Sequence, residues 1–95
     1  MRGQTNWEQY ARRKLKNPRF RAAADAQLTV LRVGVEIAKL RERRGLTQTQ
    51  LAAMLGTTAS AVSRIENGTN ITLKTLARIA ETLRARADVR LRPVA

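Results

Sequence analysis

Three glycines divide the second half of the chain into short segments. They are Gly45, Gly56 and Gly68, and apolar residues recur between them at the three- and four-residue spacing of an α-helix. Because glycine commonly follows the last turn of a helix in the left-handed conformation, each of them predicts a helix end. Short helices are therefore expected at 48–55, from Thr58 or Ala59 to about Asn67, and at about 73–84. The candidate N-caps of these three helices are all threonines: Thr47, Thr58 and Thr72.

The first half of the chain predicts two further helices, which are separated by Asn17-Pro18. Asparagine is a good N-cap and proline is favoured at the first helical position. We therefore expect a short helix at about 6–15 and a long one from Pro18 to about Arg44. Gly34 lies inside the long helix and indicates a kink or break there, because glycine lowers helix stability.

The long helix is apolar on two sides, which requires burial on two sides. Helical spacing gives one face of Val30, Val33, Ile37 and Leu40, and a second face of Phe20, Ala24, Leu28, Leu31 and Val35. One face can pack on the rest of the domain. The other must meet the N-terminal helix, a second subunit or another protein.

Apolar and polar residues alternate from Ala87 to Arg92, just before Pro93. This pattern predicts a short β-strand with Val89 and Leu91 on one side. A lone strand leaves its backbone groups unpaired, so we expect it to pair with the same strand of a second copy. A disordered tail and a dimer formed through the long helix are the alternatives.

The composition favours a partner with negative charge. The chain of 95 residues has 19 Lys and Arg against 7 Asp and Glu, a formal net charge of +12, which attracts nucleic acid or acidic surfaces. It has no Cys and no His, and its acids are scattered, so we expect no enzyme activity, no metal site and no cofactor. Without an apolar run of roughly 18–20 residues, a cytoplasmic protein that does not enter the membrane is expected.

Two short helices joined by a tight glycine turn predict a helix-turn-helix, whose second helix enters the major groove of DNA. The second helix begins with the small residues of the stretch TTASA, at 57–61. Small side chains at that end let the backbone approach the base edges, and short hydroxyls can bind phosphates or bases.

The stretch LTQTQLAAMLGTTASAVSRIENG, followed by LKTLARIAETL, resembles the Xre family of helix-turn-helix repressors over about residues 35–83. The resemblance implies an all-α, lambda-repressor-like domain at 30–84, with a helical extension at 1–29 and a strand or tail at 85–95. The flanking motifs KNPRF and VRLRP resemble those of HigA-type antitoxins of type II toxin–antitoxin modules. The C-terminal strand is also similar to that of HipB-type antitoxins, in which such strands pair across a dimer.

The resemblance implies a homodimeric repressor that binds operator DNA, neutralises a RelE/HigB-like ribonuclease toxin and regulates its own operon. A phage or regulatory Xre repressor without a toxin is the alternative, and a module that binds only protein is a third. The DNA-binding residues implied are Gln48, Thr58, Ala59, Ser60, Ser63, Arg64, Asn67, Thr69 and Asn70. Of these, Ala59 can touch a thymine methyl group, and Arg64 is the best base reader, with guanine as its favoured partner.

The resemblance also implies a structural ion pair between Arg41 and Glu66 behind the second helix of the motif. Around Arg41, a basic cluster either follows the phosphate backbone or forms a solvated face: Lys39, Arg41, Arg43 and Arg44. The toxin-binding candidates lie near the N-terminus: Trp7, Tyr10, Phe20, Leu28 and Leu31. They could instead pack on each other as a private core, and the basic N-terminal arm could lie along DNA.

Overall fold

The computed structural model describes residues 6–94, whose regular structure consists of five α-helices. They are α1 (Asn6–Leu15), α2 (Pro18–Arg43), α3 (Gln48–Leu55), α4 (Ala59–Glu66) and α5 (Leu73–Thr82). No helix in this part of the chain is long and apolar enough to span a membrane.

Local capping chemistry sets the starts of α2 to α5. The side chains of Thr47, Thr58 and Thr72 each accept a hydrogen bond from the backbone N–H three residues on, at 3.0–3.1 Å. Asn17 caps α2, where its Oδ1 accepts from the N–H of Arg19 at 2.9 Å and from that of Phe20 at 3.5 Å, and Pro18 is the first helical residue. Gly56 ends α3 in the left-handed conformation, at φ 72°.

The hydrophobic core lies where α3, α4, α5 and the second half of α2 meet. It consists of Ile37, Leu51, Ala52, Leu55, Val62, Ile79 and Leu83. Val33 and Leu40 of α2 pack against it, as the first predicted apolar face requires. The first half of α2 and all of α1 contribute no buried residue, so they form an extension outside the core.

Gly34 marks a close helix crossing, and the expectation of a kink or break there is wrong. Helix α2 continues through it from Pro18 to Arg43. A Cβ atom at this position would lie 2.6 Å from the carbonyl oxygens of both Ile65 and Glu66, at the end of α4. A glycine is therefore required because two backbones approach each other.

The second apolar face of α2 is not covered by the described chain. Phe20, Leu28, Leu31 and Val35 are all exposed, Leu28 to 54%. In α1, Trp7 stacks on Tyr10 at 6.1 Å between ring centroids, and the Lys14 ammonium lies over the rings of Tyr10 and Phe20, yet all three rings stay exposed. These residues touch each other without forming the private core that was the alternative.

The predicted C-terminal strand is not found, since none of residues 6–94 lies in a strand. Residues 85–94 form an irregular tail, in which Val89 and Leu91 are exposed. The physical reason is that alternation decides which side chains share a face, whereas a strand also needs a partner for its backbone groups. The described part of this single chain offers no such partner.

Candidate nucleic-acid interface

Helix α4 presents one buried face and one face of mostly small side chains. Val62 and Glu66 are buried against the rest of the domain. The side chains expected to read DNA include exposed Ser60 and Arg64 and half-buried Ala59 and Ser63. Arg64 is therefore the one long cation that α4 presents beside short side chains.

The back of α4 is held by a buried ionic network around Glu66. Arg41 donates from Nε to Glu66 Oε2 at 2.6 Å and from Nη2 to Oε1 at 3.1 Å, a bidentate pair. The side chains of Arg41 and Glu66 are only 12% and 6% exposed. Arg41 Nη1 also donates to the carbonyl oxygen of Leu46, so one guanidinium joins three parts of the motif.

The charge of Arg41 is secured by this arrangement. The hydrogen bonds with Glu66 raise the pKa of Arg41 above its ordinary value, with further help from the negative charges of Glu66 and Glu42 and against the effect of burial. The Arg41 guanidinium therefore keeps its proton and its positive charge.

Gln48 supports the same network from the first turn of α3. Its Nε2 donates to Glu66 Oε1 at 3.0 Å. A side-chain amide nitrogen carries two hydrogens, so one remains for a phosphate oxygen. Gln48 thus braces α4, and the DNA contact that the resemblance implies for it stays a prediction.

The loop after α4 is hydrogen-bonded to α4 itself and to α2. Asn67 Nδ2 donates to the Ser63 carbonyl oxygen at 2.8 Å, and so this amide closes the end of α4. Gln27 Nε2 of α2 donates to the Gly68 carbonyl oxygen at 3.2 Å. Thr69 and Asn70 lie exposed beside this junction. Sequence reasoning missed Gln27, because its only signal was a polar residue between the two apolar faces of α2.

The basic cluster of α2 divides into two pairs. Arg41 forms the buried ion pair with Glu66. Arg44 donates to the carbonyl oxygens of Leu83 and Arg84 at 2.9 and 3.1 Å. Lys39 and Arg43 are exposed and remain the candidates for phosphate contact. No group of residues within 6–94 has the side chains needed to hold a metal ion.

Two capped helices joined by a left-handed glycine, with the second braced from behind, form the geometry of a helix-turn-helix. The family model described as helix-turn-helix matches residues 37–89, more than half of the chain. The chain belongs to the Xre-like helix-turn-helix family. No curated protein and no solved structure matches it.

Membership of the helix-turn-helix family makes this a DNA-binding protein of the regulator class, and α4 is its candidate recognition helix. The matched segment begins at Ile37, so α1 and the first half of α2 lie outside it. The family match therefore assigns no function to that extension.

Proposed function

We propose that the protein represses transcription, including that of its own operon, by binding operator DNA as a twofold dimer in the cytoplasm. The observation that carries this proposal is the surface of α4, with short side chains around one arginine and a fixed rear face. A major groove about 12 Å wide accommodates a helix of this kind. Rigid support from behind reduces the entropy lost when the helix enters the groove.

Arg64 is proposed as the principal base reader, because a guanidinium can bind guanine O6 and N7 together. Ala59 offers a methyl group to thymine, and Ser60 and Ser63 offer hydroxyls. Thr58 already caps α4 through its hydroxyl, which accepts from the Ala61 N–H. Thr69 and Asn70, in the loop that Gln27 fastens, are proposed to contact the phosphate backbone, and Asn67 to hold that loop in place.

Replacing Arg64 with alanine is expected to weaken operator binding by about 1–3 kcal/mol, while binding to unrelated DNA falls much less. The reason is that a base contact is lost only where the correct base is present. Fluorescence anisotropy with the promoter of the protein's own gene and with an unrelated duplex measures both affinities at one salt concentration. Arg43→Ala is the matched control and should weaken both equally, as a phosphate contact would. An equal loss on both duplexes for Arg64→Ala would show that this residue reads no base.

The proposed dimer is supported by an apolar groove between α2 and α5. Val30 and Val33 line it on one side, and Leu73 and Leu76 on the other. Leu73 is 68% exposed, and a second cavity, which shares Val33 and Leu76 with this groove, is lined by Val89 of the tail. A second copy that covers this groove would also supply the strand partner that the tail lacks. Two α4 helices could then reach major grooves about 34 Å apart.

Deleting residues 87–95 is therefore expected to convert the dimer into a monomer and to weaken operator binding. Sedimentation equilibrium measures the oligomeric state, and a circular dichroism melt checks that the remaining chain is folded. The double variant Arg90→Gln/Arg92→Gln is the control, since these side chains alternate with Val89 and Leu91, and it should remain dimeric. A truncated chain that stays dimeric would place the dimer contact on the helices alone.

As a second candidate function, we propose that the protein is the antitoxin of a RelE/HigB-like ribonuclease. The observation that favours it is the uncovered apolar face at Phe20, Leu28 and Leu31, next to the exposed rings of Trp7 and Tyr10. Co-expression with the neighbouring gene product tests this proposal. Co-purification and relief of growth arrest are expected, and both should be lost in Leu28→Asp/Leu31→Asp. If the neighbouring gene product neither arrests growth nor co-purifies, the antitoxin proposal is contradicted and the function is that of a repressor without a toxin.

A further inference from the structure

The extension formed by α1 and the first half of α2 carries a strong positive charge. Residues 6–32 contain seven cations against two acids, Glu8 and Asp25, a net charge of +5. The cations are all exposed: Arg12, Arg13, Lys14, Lys16, Arg19, Arg21 and Arg32. Within residues 6–94 the ion pairs involve Arg41 and Arg90. Lys14 lies over the rings of Tyr10 and Phe20 within the extension, and no ion pair of the described chain involves any of the seven cations.

The extension begins beside the loop that leaves the recognition helix. Gln27 binds the Gly68 carbonyl oxygen, and a Cβ on Gly68 would lie 3.3 Å from the Cα atom of Leu31. From Leu31 to Pro18, α2 covers about 20 Å at 1.5 Å per residue, and α1 follows. The cations are thus spread along a path that starts at the proposed phosphate-contacting loop and is comparable in length with half a turn of B-DNA or more.

We propose that this extension lies on the phosphate backbone next to each half-site and lengthens the DNA contact without reading sequence. This inference rests on the proposed operator binding. Duplex DNA carries one negative charge per about 1.7 Å, so it matches a row of cations spread over two helices.

The test is the salt dependence of DNA binding in the variant Arg12→Gln/Arg13→Gln/Lys16→Gln. Each phosphate neutralised contributes about 0.9 to the slope of log affinity against log salt, so the slope should become shallower by up to about 2.7. The ratio of operator to unrelated-DNA affinity should stay the same. Shortening the duplex to the bare half-sites should weaken binding of the unaltered protein and leave the variant almost unaffected.

The matched control is Arg86→Gln/Arg90→Gln/Arg92→Gln, which removes the same charge from the exposed tail. Its slope should stay close to that of the unaltered protein if it remains dimeric in sedimentation. Equal slopes for the two triple variants would overturn the proposal. It would also be overturned if Arg12→Gln/Arg13→Gln/Lys16→Gln bound DNA like the unaltered protein but no longer co-purified with the product of the neighbouring gene. Failure of the proposed function is distinguishable, because the unaltered protein would then prefer no promoter DNA at any salt concentration.

Discussion

Replacing Glu66 with alanine is expected to lower the free energy of unfolding by about 3–5 kcal/mol, because the charge of Arg41 is then left buried without its partner. The Nε and Nη2 hydrogen bonds of Arg41 and the Nε2 hydrogen bond of Gln48 all lose their acceptor together. A domain of this length has a total stability of roughly 5–14 kcal/mol. The variant should therefore be close to unfolding at 37 °C, as urea denaturation followed by circular dichroism would show.

Glu42 provides an internal control for this variant. Its carboxylate lies 4.0 Å from Arg41 Nη2, but its side chain is 70% exposed. An exposed pair of this kind contributes roughly 0–1 kcal/mol and is screened by salt, so Glu42→Ala should change stability little. A loss for Glu66→Ala no greater than that for Glu42→Ala would contradict the view that the buried pair holds α4.

A double variant separates the cost of an unpaired charge from the net contribution of the pair. Arg41→Met/Glu66→Leu replaces both charges with apolar groups of similar size, and such replacements are often neutral or stabilising. We expect it to recover much of the stability lost in Glu66→Ala. Its operator affinity should stay below that of the unaltered protein, since apolar contacts fix the orientation of α4 less tightly than a bidentate pair.

The helix starts could be predicted from the sequence because capping is local. A threonine cap needs only the backbone N–H three residues on, and all three threonine caps form as expected. The ends of α1 and α3 were also predicted correctly, whereas those of α2, α4 and α5 were placed one or two residues too far. At the end of α5, Leu83 is already the C-cap and Arg84 turns to a positive φ of 57°, which no local residue preference indicated.

The features that escaped prediction depend on partners distant in sequence. Arg44 belongs to a basic run, yet it binds carbonyl oxygens 39 and 40 residues away. Composition cannot separate that structural arginine from the exposed Arg43 beside it. The prediction of a strand at 87–92 was wrong for a related reason. The alternating pattern decides which side chains share a face, but the backbone groups of a strand need a partner strand, which this segment does not supply.

The Xre-like resemblance of the central motif is confirmed by the helix-turn-helix match, whereas the roles assigned to the extension stay predictions. The match starts at Ile37 and so covers the residues that build α3 and α4. Helix α1 and residues 18–36 of α2 carry charge and apolar surface without a shared motif of comparable specificity. Co-expression with the neighbouring gene product and the salt dependence of DNA binding are the experiments that test their function.

Replacing Gly34 with alanine is expected to lower the free energy of unfolding by about 1–3 kcal/mol, although alanine favours helix by about 1 kcal/mol at most positions. The new Cβ would lie 2.6 Å from the carbonyl oxygens of Ile65 and Glu66 and 2.9 Å from the Glu66 carbonyl carbon. All three are backbone atoms, so no side-chain rotation can relieve the overlap. Helix α4 has to move away from α2 by several tenths of an ångström.

This movement should also impair DNA binding, because the displaced element is α4, the proposed recognition helix. Gly45→Ala is the matched control, since Gly45 has a φ of 71° and open space around its Cβ position. It should lose about 1–2 kcal/mol through backbone strain alone and bind the operator normally under conditions in which it is folded. Urea denaturation and anisotropy at a temperature where both variants are folded separate the two effects. If Gly34→Ala proved more stable than the unaltered protein and bound DNA equally well, the close crossing of α2 and α4 would not be what positions the recognition helix.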